Sequence, residues 1–259
     1  MTSSTAHSSE QKAPVALITG SSRGIGQALA VGLAGHGYDI ALMDLAVNQN
    51  ALEETRRMII EKGRKASIHH TDVSNKKEVH ELIGSVISDM GGIDLLVNNA
   101  GVLKLSLLAD LEEKDWDQHF DVNAKGVFLM CQAITPHFKS RGRGRIVNVA
   151  SIAGRLGVPM QGHYAATKAA VISLTRVLAR ELGPDGITVN AICPGIILTE
   201  MGRNNLGDDD AVHFWENNTA LRRLGQPEDL VGAVRFFASA DADFITGQSL
   251  NVDGGIYFH

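Results

Sequence analysis

The chain has 259 residues, 44% of them hydrophobic and 20% charged, with a formal net charge of −5. Those fractions exclude a disordered chain, and the acidic balance excludes the basic footprint of a dedicated nucleic-acid binder. No run reaches the roughly 18 apolar residues of a membrane span, and Cys131 and Cys193, in unrelated contexts, make neither a disulfide framework nor a redox pair. The start, Met1 to Pro14, has no apolar signal core. Residues 1–13 are therefore expected to be a flexible tail ahead of one domain over 14–259, in a cytoplasmic setting.

From Pro14 onward, short apolar runs alternate with longer amphipathic segments. The runs, rich in Val, Ile and Leu, read as strands at 15–19, 39–44, 66–69, 94–98, 145–149, 188–192 and 249–252. Several are apolar throughout, as strands covered on both faces are. Helical patterns fall between them, at 24–37, 50–63, 75–90, 115–140, 164–183 and 227–239. This alternation predicts an α/β fold: a doubly wound, mostly parallel, seven-stranded sheet of Rossmann type in a single domain. One polar, acidic break, about 195–225, interrupts the rhythm and includes Asp208, Asp209 and Asp210. A connection of that length is expected to be a lid or a binding loop, with a solvated insertion as the plainer alternative.

The first strand runs into Thr19-Gly20-Ser21-Ser22-Arg23-Gly24-Ile25-Gly26, and a helix follows. Glycines here let the backbone turn tightly and approach a pyrophosphate, which the free N–H groups and the helix dipole would hold. The spacing is G-x-x-x-G-x-G rather than the standard G-x-G-x-x-G. Gly20 to Gly24 also fits G-x-S-x-G, the nucleophile elbow of a hydrolase, with Ser22 as nucleophile. That reading leaves Gly26 unexplained. The second strand ends at Asp44, 24 residues after Gly20. A carboxylate near this distance accepts hydrogen bonds from the adenosine ribose hydroxyls and repels a 2′-phosphate. NAD is therefore expected over NADP, although the Arg23 guanidinium in the turn is of the kind that faces a phosphate.

Tyr164 and Lys168 are four apart at the start of a helical pattern, so they share a face. An ammonium about 4 Å from a phenol contributes roughly 4 kcal/mol at an effective dielectric near 20. That would lower the phenol by up to about three pH units, toward the range acid–base catalysis uses. Ser151 follows the strand at 145–149, so it stands at a strand's carboxyl end, where ligands bind in such sheets. Its hydroxyl there can stabilise charge developing on a carbonyl oxygen.

With these pieces assembled, the chain resembles the short-chain dehydrogenase/reductase family. The matching motifs are TGSSRGIG (Thr19 to Gly26), Asp72-Val73, NNAG (Asn98 to Gly101), Asn123, Ser151, YAATK (Tyr164 to Lys168) and Pro194-Gly195, over about residues 14 to 256. The resemblance implies that Tyr164 is the acid/base, Lys168 holds the nicotinamide ribose, Ser151 positions the carbonyl and Asn123 anchors a water. It implies cofactor contacts by Gly20, Arg23, Ile25, Gly26, Asp44, Asp72, Val73, Asn99, Ala100, Gly101, Tyr164, Lys168, Pro194, Gly195, Ile197 and Thr199. It also implies that the apolar end, Ile256-Tyr257-Phe258, packs at an interface of a homotetramer; packing on its own subunit is the alternative.

Other features read plainly. His69 and His70 are adjacent in a strand and point to opposite faces, so no metal site is expected. Arg155, Gln161 and His163 lie between Ser151 and Tyr164 and either touch substrate or cover the site. The expected activity is NAD(H)-dependent interconversion of a secondary alcohol, such as a polyol, a sugar or a small hydroxy compound, and its ketone. The alternatives are a 3-oxoacyl thioester reductase and a regulator that binds a dinucleotide without turnover. Partners are expected to be small molecules, with neither nucleic acid nor membrane.

Overall fold

The structure, a computed structural model, describes residues 12–258. Most of the expected flexible tail, residues 1–11, lies outside them; at its edge the Lys12 ammonium donates to the Gly91 carbonyl at 2.9 Å. Seven strands form one sheet: β1 (Val15–Thr19), β2 (Asp39–Asp44), β3 (Ala66–His70), β4 (Leu95–Asn98), β5 (Gly144–Val149), β6 (Ile187–Pro194) and β7 (Ser249–Val252). Their order is β3-β2-β1-β4-β5-β6-β7, and every pairing is parallel. The helices are α1 (Gly24–Gly35), α2 (Gln49–Glu61), α3 (Lys76–Met90), α4 (Glu113–Phe120), α5 (Gly126–Arg141), α6 (Gly162–Leu182), α7 (Glu200–Leu206), α8 (Asp209–Asn218) and α9 (Val231–Ala238).

Two apolar layers sandwich the sheet, and strand pleating sends alternate residues into each. Ala16 and Ile18 of β1, with Ile40 and Leu42 of β2, pack under Leu29, Leu33, Leu52, Ile59, Val234 and Phe237 of α1, α2 and α9. Leu17, Ala41 and Met43 face the opposite layer, with Val86, Met130, Ile134, Val171 and Leu182 of α3, α5 and α6. Burial on both faces is why these strands read as unbroken apolar runs. The layers include a polar chain: Asn98 donates to Asn148 at 2.8 Å, and Asn148 donates to Thr175 at 2.9 Å, pinning β4, β5 and α6 together. The chain reverses direction across the sheet between β1 and β4, which opens a crevice at the carboxyl ends of the central strands.

Two local findings depart from the expected elements. The helix read as continuous over 115–140 is two helices, α4 and α5, joined by a π-helical turn at Asp121–Lys125. The Gly126 N–H reaches back to the Asp121 carbonyl, one residue further than an α-helix allows. The break at 195–225 is not an irregular loop, because it carries α7 and α8. Thr199 and Asp208 cap these helices, accepting from Gly202 and Ala211 N–H groups.

Candidate active site

The glycine turn is built by close approach. Gly20 has φ +64°, and a Cβ there would lie 2.8 Å from the Ala100 Cα. A Cβ on Gly26 would lie 2.0 Å from the Gly20 carbonyl oxygen, so only glycine lets α1 start against the turn. The Thr19 hydroxyl accepts the N–H groups of Asn99 and Ala100, each at 3.0 Å. The Asn99 amide donates to the Thr19 and Gly20 carbonyls at 3.0 and 2.9 Å. Asn99 thus shapes the turn from the end of β4. No side chain caps α1 and no acidic residue sits in its first turn. Its first N–H groups and positive dipole end therefore suit a pyrophosphate. The elbow reading of this turn fails: Ser22 is buried, and its hydroxyl has no hydrogen-bond partner to activate it.

Asp44 closes one side of this cradle. Its carboxylate accepts from Ser22 N–H at 3.2 Å, Leu45 N–H at 2.8 Å and the Asn48 amide at 2.8 Å. Arg23 points elsewhere, pairing with Glu200 at 2.8 Å. Asp72 accepts from the Ser74 N–H and hydroxyl at 2.9 and 2.7 Å. Val73 is buried against Gly126, where a Cβ would come within 2.8 Å of its Cγ2. On the far side, Gly195 bonds the Val252 carbonyl at 3.1 Å after Pro194, Ile197 is buried, and the Thr199 Cγ2 lies 3.2 Å from where a Cβ on Gly24 would stand. Asp44, Asn99, Ala100 and Thr199 all meet the glycine turn, and the donor set and the small turn fit a dinucleotide.

The second cluster stands beside it. Ser151 leaves β5 with extended backbone and caps a short 3₁₀ turn, accepting from Ala153 N–H at 3.1 Å. Its side chain also hydrogen-bonds the Tyr164 phenol. Tyr164 and Lys168 occupy the first two turns of α6 on one face, with the ammonium 5.6 Å from the ring centroid. Asn123 sits in the π turn, fully buried. Its Oδ1 accepts Val102 N–H at 2.8 Å, and its amide donates to the Val102 carbonyl at 2.9 Å and to Thr167 at 3.3 Å. A Cβ on Gly101 would lie 3.2 Å from the Asn123 Oδ1 and 3.7 Å from the Lys168 Nζ, so β4's exit loop joins the cluster.

The expected electrostatics of the pair are reversed. Burial pushes the Tyr164 phenol up to about 12, opposed by its hydrogen bond with Ser151. Burial also pulls the Lys168 ammonium down to about 8, opposed by Cys193. One N–H of the ammonium donates to the Val149 carbonyl at 2.8 Å. Of the three candidates between Ser151 and Tyr164, His163 is fully buried edge-on to His119, with centroids 4.0 Å apart. Gln161 donates to Asn205 of α7 at 2.9 Å, and Arg155 donates to the Ser249 carbonyl at 2.5 Å. All three brace the site's walls. Glu200 and Asn205 carry no signal in the motifs, since their partners Arg23 and Gln161 are distant in the chain. A capping threonine followed by an acid at Thr199-Glu200 marks the start of α7 locally.

A family model described as enoyl-(acyl carrier protein) reductase matches residues 20–257. The chain belongs to the short-chain dehydrogenase/reductase family. It is 43% identical over 242 residues to a 3-oxoacyl-[acyl-carrier-protein] reductase of Staphylococcus epidermidis, covering 93% of this chain and 98% of that one. A short-chain dehydrogenase/reductase of Armillaria gallica is 39% identical over 259 residues, with 98% and 99% of the two chains covered. Among solved structures, a putative short-chain alcohol dehydrogenase from Sinorhizobium meliloti superposes with a TM-score of 0.91 at 35% identity, covering 95% and 97%. An NAD+-bound xylitol dehydrogenase gives 0.89 at 33% identity, covering 93% and 98%. The protein is therefore an oxidoreductase acting on CH–OH groups with a nicotinamide dinucleotide. Among the described residues, no helix is long and apolar enough to cross a membrane.

Proposed function

We propose that this dehydrogenase/reductase uses NAD(H) to interconvert a 3-oxoacyl thioester and its 3-hydroxy form, with Tyr164 as acid/base. The observation that carries the chemistry is the convergence of Tyr164, Ser151, Lys168 and Asn123 beside the glycine turn. The bound nicotinamide supplies the hydride acceptor or donor and, when oxidised, a positive ring. Tyr164 gives its phenolic proton to the substrate oxygen in reduction and takes it back in oxidation. Ser151 donates to the same oxygen and holds the carbonyl in line. Lys168, titrating near pH 8, refills the Tyr164 proton and holds the ribose. Asn123 fixes the π turn against the Val102 backbone, with its side chain bonded to both the Val102 N–H and carbonyl. Gly20, Ile25 and Gly26 with the α1 N-terminus take the pyrophosphate, Asp44 the adenosine ribose and Asp72 with Val73 the adenine. Asn99, Ala100 and Gly101 line the passage to the nicotinamide, which Pro194, Gly195, Ile197 and Thr199 flank.

Two observations favour a thioester over a polyol as the substrate. Several sequence relatives carry the name 3-oxoacyl-[acyl-carrier-protein] reductase. The segment before Tyr164 exposes Leu107, Leu108 and Met160, and α7 and α8 expose Met201 and Phe214. Leu108 lies against Gly162, two residues before Tyr164. An exposed apolar rim of this kind suits an acyl chain and offers a polyol few hydrogen-bond partners. The segment 195–225 acts as the lid over this substrate. A small polyol or hydroxy compound is the second reading, favoured by the likeness to the xylitol dehydrogenase structure. We place the enzyme in the cytoplasm, as a homotetramer that covers β7 and the apolar chain end.

The test is dinucleotide oxidation, NADH and NADPH side by side, against 3-oxoacyl thioesters and against ketoses. The reading expects faster turnover with the thioester and NADH. Preference for a ketose installs the second reading, and faster rates with NADPH overturn the role given to Asp44. Dinucleotide binding with no turnover of any carbonyl makes the protein a regulator.

A further inference from the structure

The ion pair between Arg23 and Glu200 joins the glycine turn to the first residue of α7, across 177 positions of chain. The Arg23 Nη1 and Glu200 Oε2 are 2.8 Å apart, and both side chains are about two-thirds exposed. The junction is close in a second place, where Thr199 meets Gly24. Behind the same turn stands Asp44, whose carboxylate accepts the Ser22 N–H at 3.2 Å. The turn's one guanidinium is thus held toward α7, while a fixed carboxylate occupies the side where the adenosine ribose is read.

A 2′-phosphate carries up to about two negative charges and takes bidentate bonds from a guanidinium. Asp44 repels such a phosphate, and a free Arg23 would attract it. Which effect prevails depends on whether Arg23 is already occupied. We propose that Glu200 sets the dinucleotide preference of this enzyme, by sequestering Arg23 from a 2′-phosphate. Glu200 acts only through Arg23, so it is a positioning residue rather than a ligand of the cofactor. This inference rests on the NAD(H) preference proposed above.

The experiment is a fluorescence titration of NADH and NADPH into the full chain, with no substrate present. The variants are Glu200→Gln, Arg23→Met and the double substitution, each checked for an unchanged melting temperature. Glu200→Gln is expected to tighten NADPH by about two- to fivefold, the size of one exposed ion pair, and to leave NADH unchanged. The gain is expected to vanish when Arg23 is also Met. A change of equal size for both dinucleotides, or a gain that persists without Arg23, overturns the inference. A wild-type chain that binds NADPH more tightly than NADH overturns the NAD(H) reading alone. The role of Glu200 is then still decided by the change in the NADPH/NADH ratio in its variant.

Discussion

Replacing Lys168 with Met removes a charge that the fold buries at a cost. The side chain is 4% exposed, and burial lowers its ammonium from 10.5 to about 8. Between about pH 8 and 10.5 the unfolded chain still holds a proton that the folded chain has released. Stability must therefore rise with pH across that window. At about 1.36 kcal/mol per pH unit of depression, the full rise is about 3 kcal/mol. Lys168→Met keeps the aliphatic stem and abolishes the titration. At pH 7 the variant gains up to this amount, offset by about 1–3 kcal/mol for the Val149 carbonyl it leaves unpaired. The assay is urea unfolding of both proteins, without dinucleotide, from pH 7 to 10.5. Subtracting the two cancels every group they share, including Tyr164, whose raised pKa works in the opposite sense above pH 10. The wild-type-minus-variant difference should climb by 2–3 kcal/mol, give or take about 1. A difference that stays flat, or falls as pH rises, refutes the buried ammonium and with it the proton supply assigned to Lys168.

Tyr164→Phe removes the phenolic oxygen and keeps the ring; turnover should fall by at least about a hundredfold while NADH fluorescence titration still reports binding. Full activity in that variant would end the acid/base assignment. Gly26→Ala drives a Cβ to within 2.0 Å of the Gly20 carbonyl oxygen, so it should cost about 1–3 kcal/mol and weaken dinucleotide binding. Gly35→Ala, at the end of the same helix with nothing within 4 Å, should be neutral or slightly stabilising by thermal melt. Equal effects at the two glycines would refute the close-approach account of the turn.

The sheet was legible because burial on both faces leaves a strong local mark: β1 and β4 are apolar up to their last residues, Thr19 and Asn98, and their bounds fall within one residue of the expected ones. The glycine turn, Asp44 and the Tyr164–Lys168 spacing were legible for a related reason, since each is a short-range pattern attached to a strand end or a helix face. The π turn at Asp121–Lys125 left no such mark. One inserted residue shifts the apolar stripe too little to break a helical pattern, yet it is what carries Asn123 onto the Val102 backbone. The direction of the Tyr164 shift departs from the expected one for a deeper reason. Spacing says that Lys168 and Tyr164 share a face, but protonation depends on what else each group meets. The ammonium meets the Val149 carbonyl from β5, and the phenol meets Ser151 from the turn after it. Arg23 shows the same logic at the surface. Its local motif suggests a phosphate ligand, while Glu200, far along the chain, decides where its charge is spent. Residue types and spacings name the candidates for a site. The partners that the fold brings to them from other strands determine which proton, and which phosphate, each can hold.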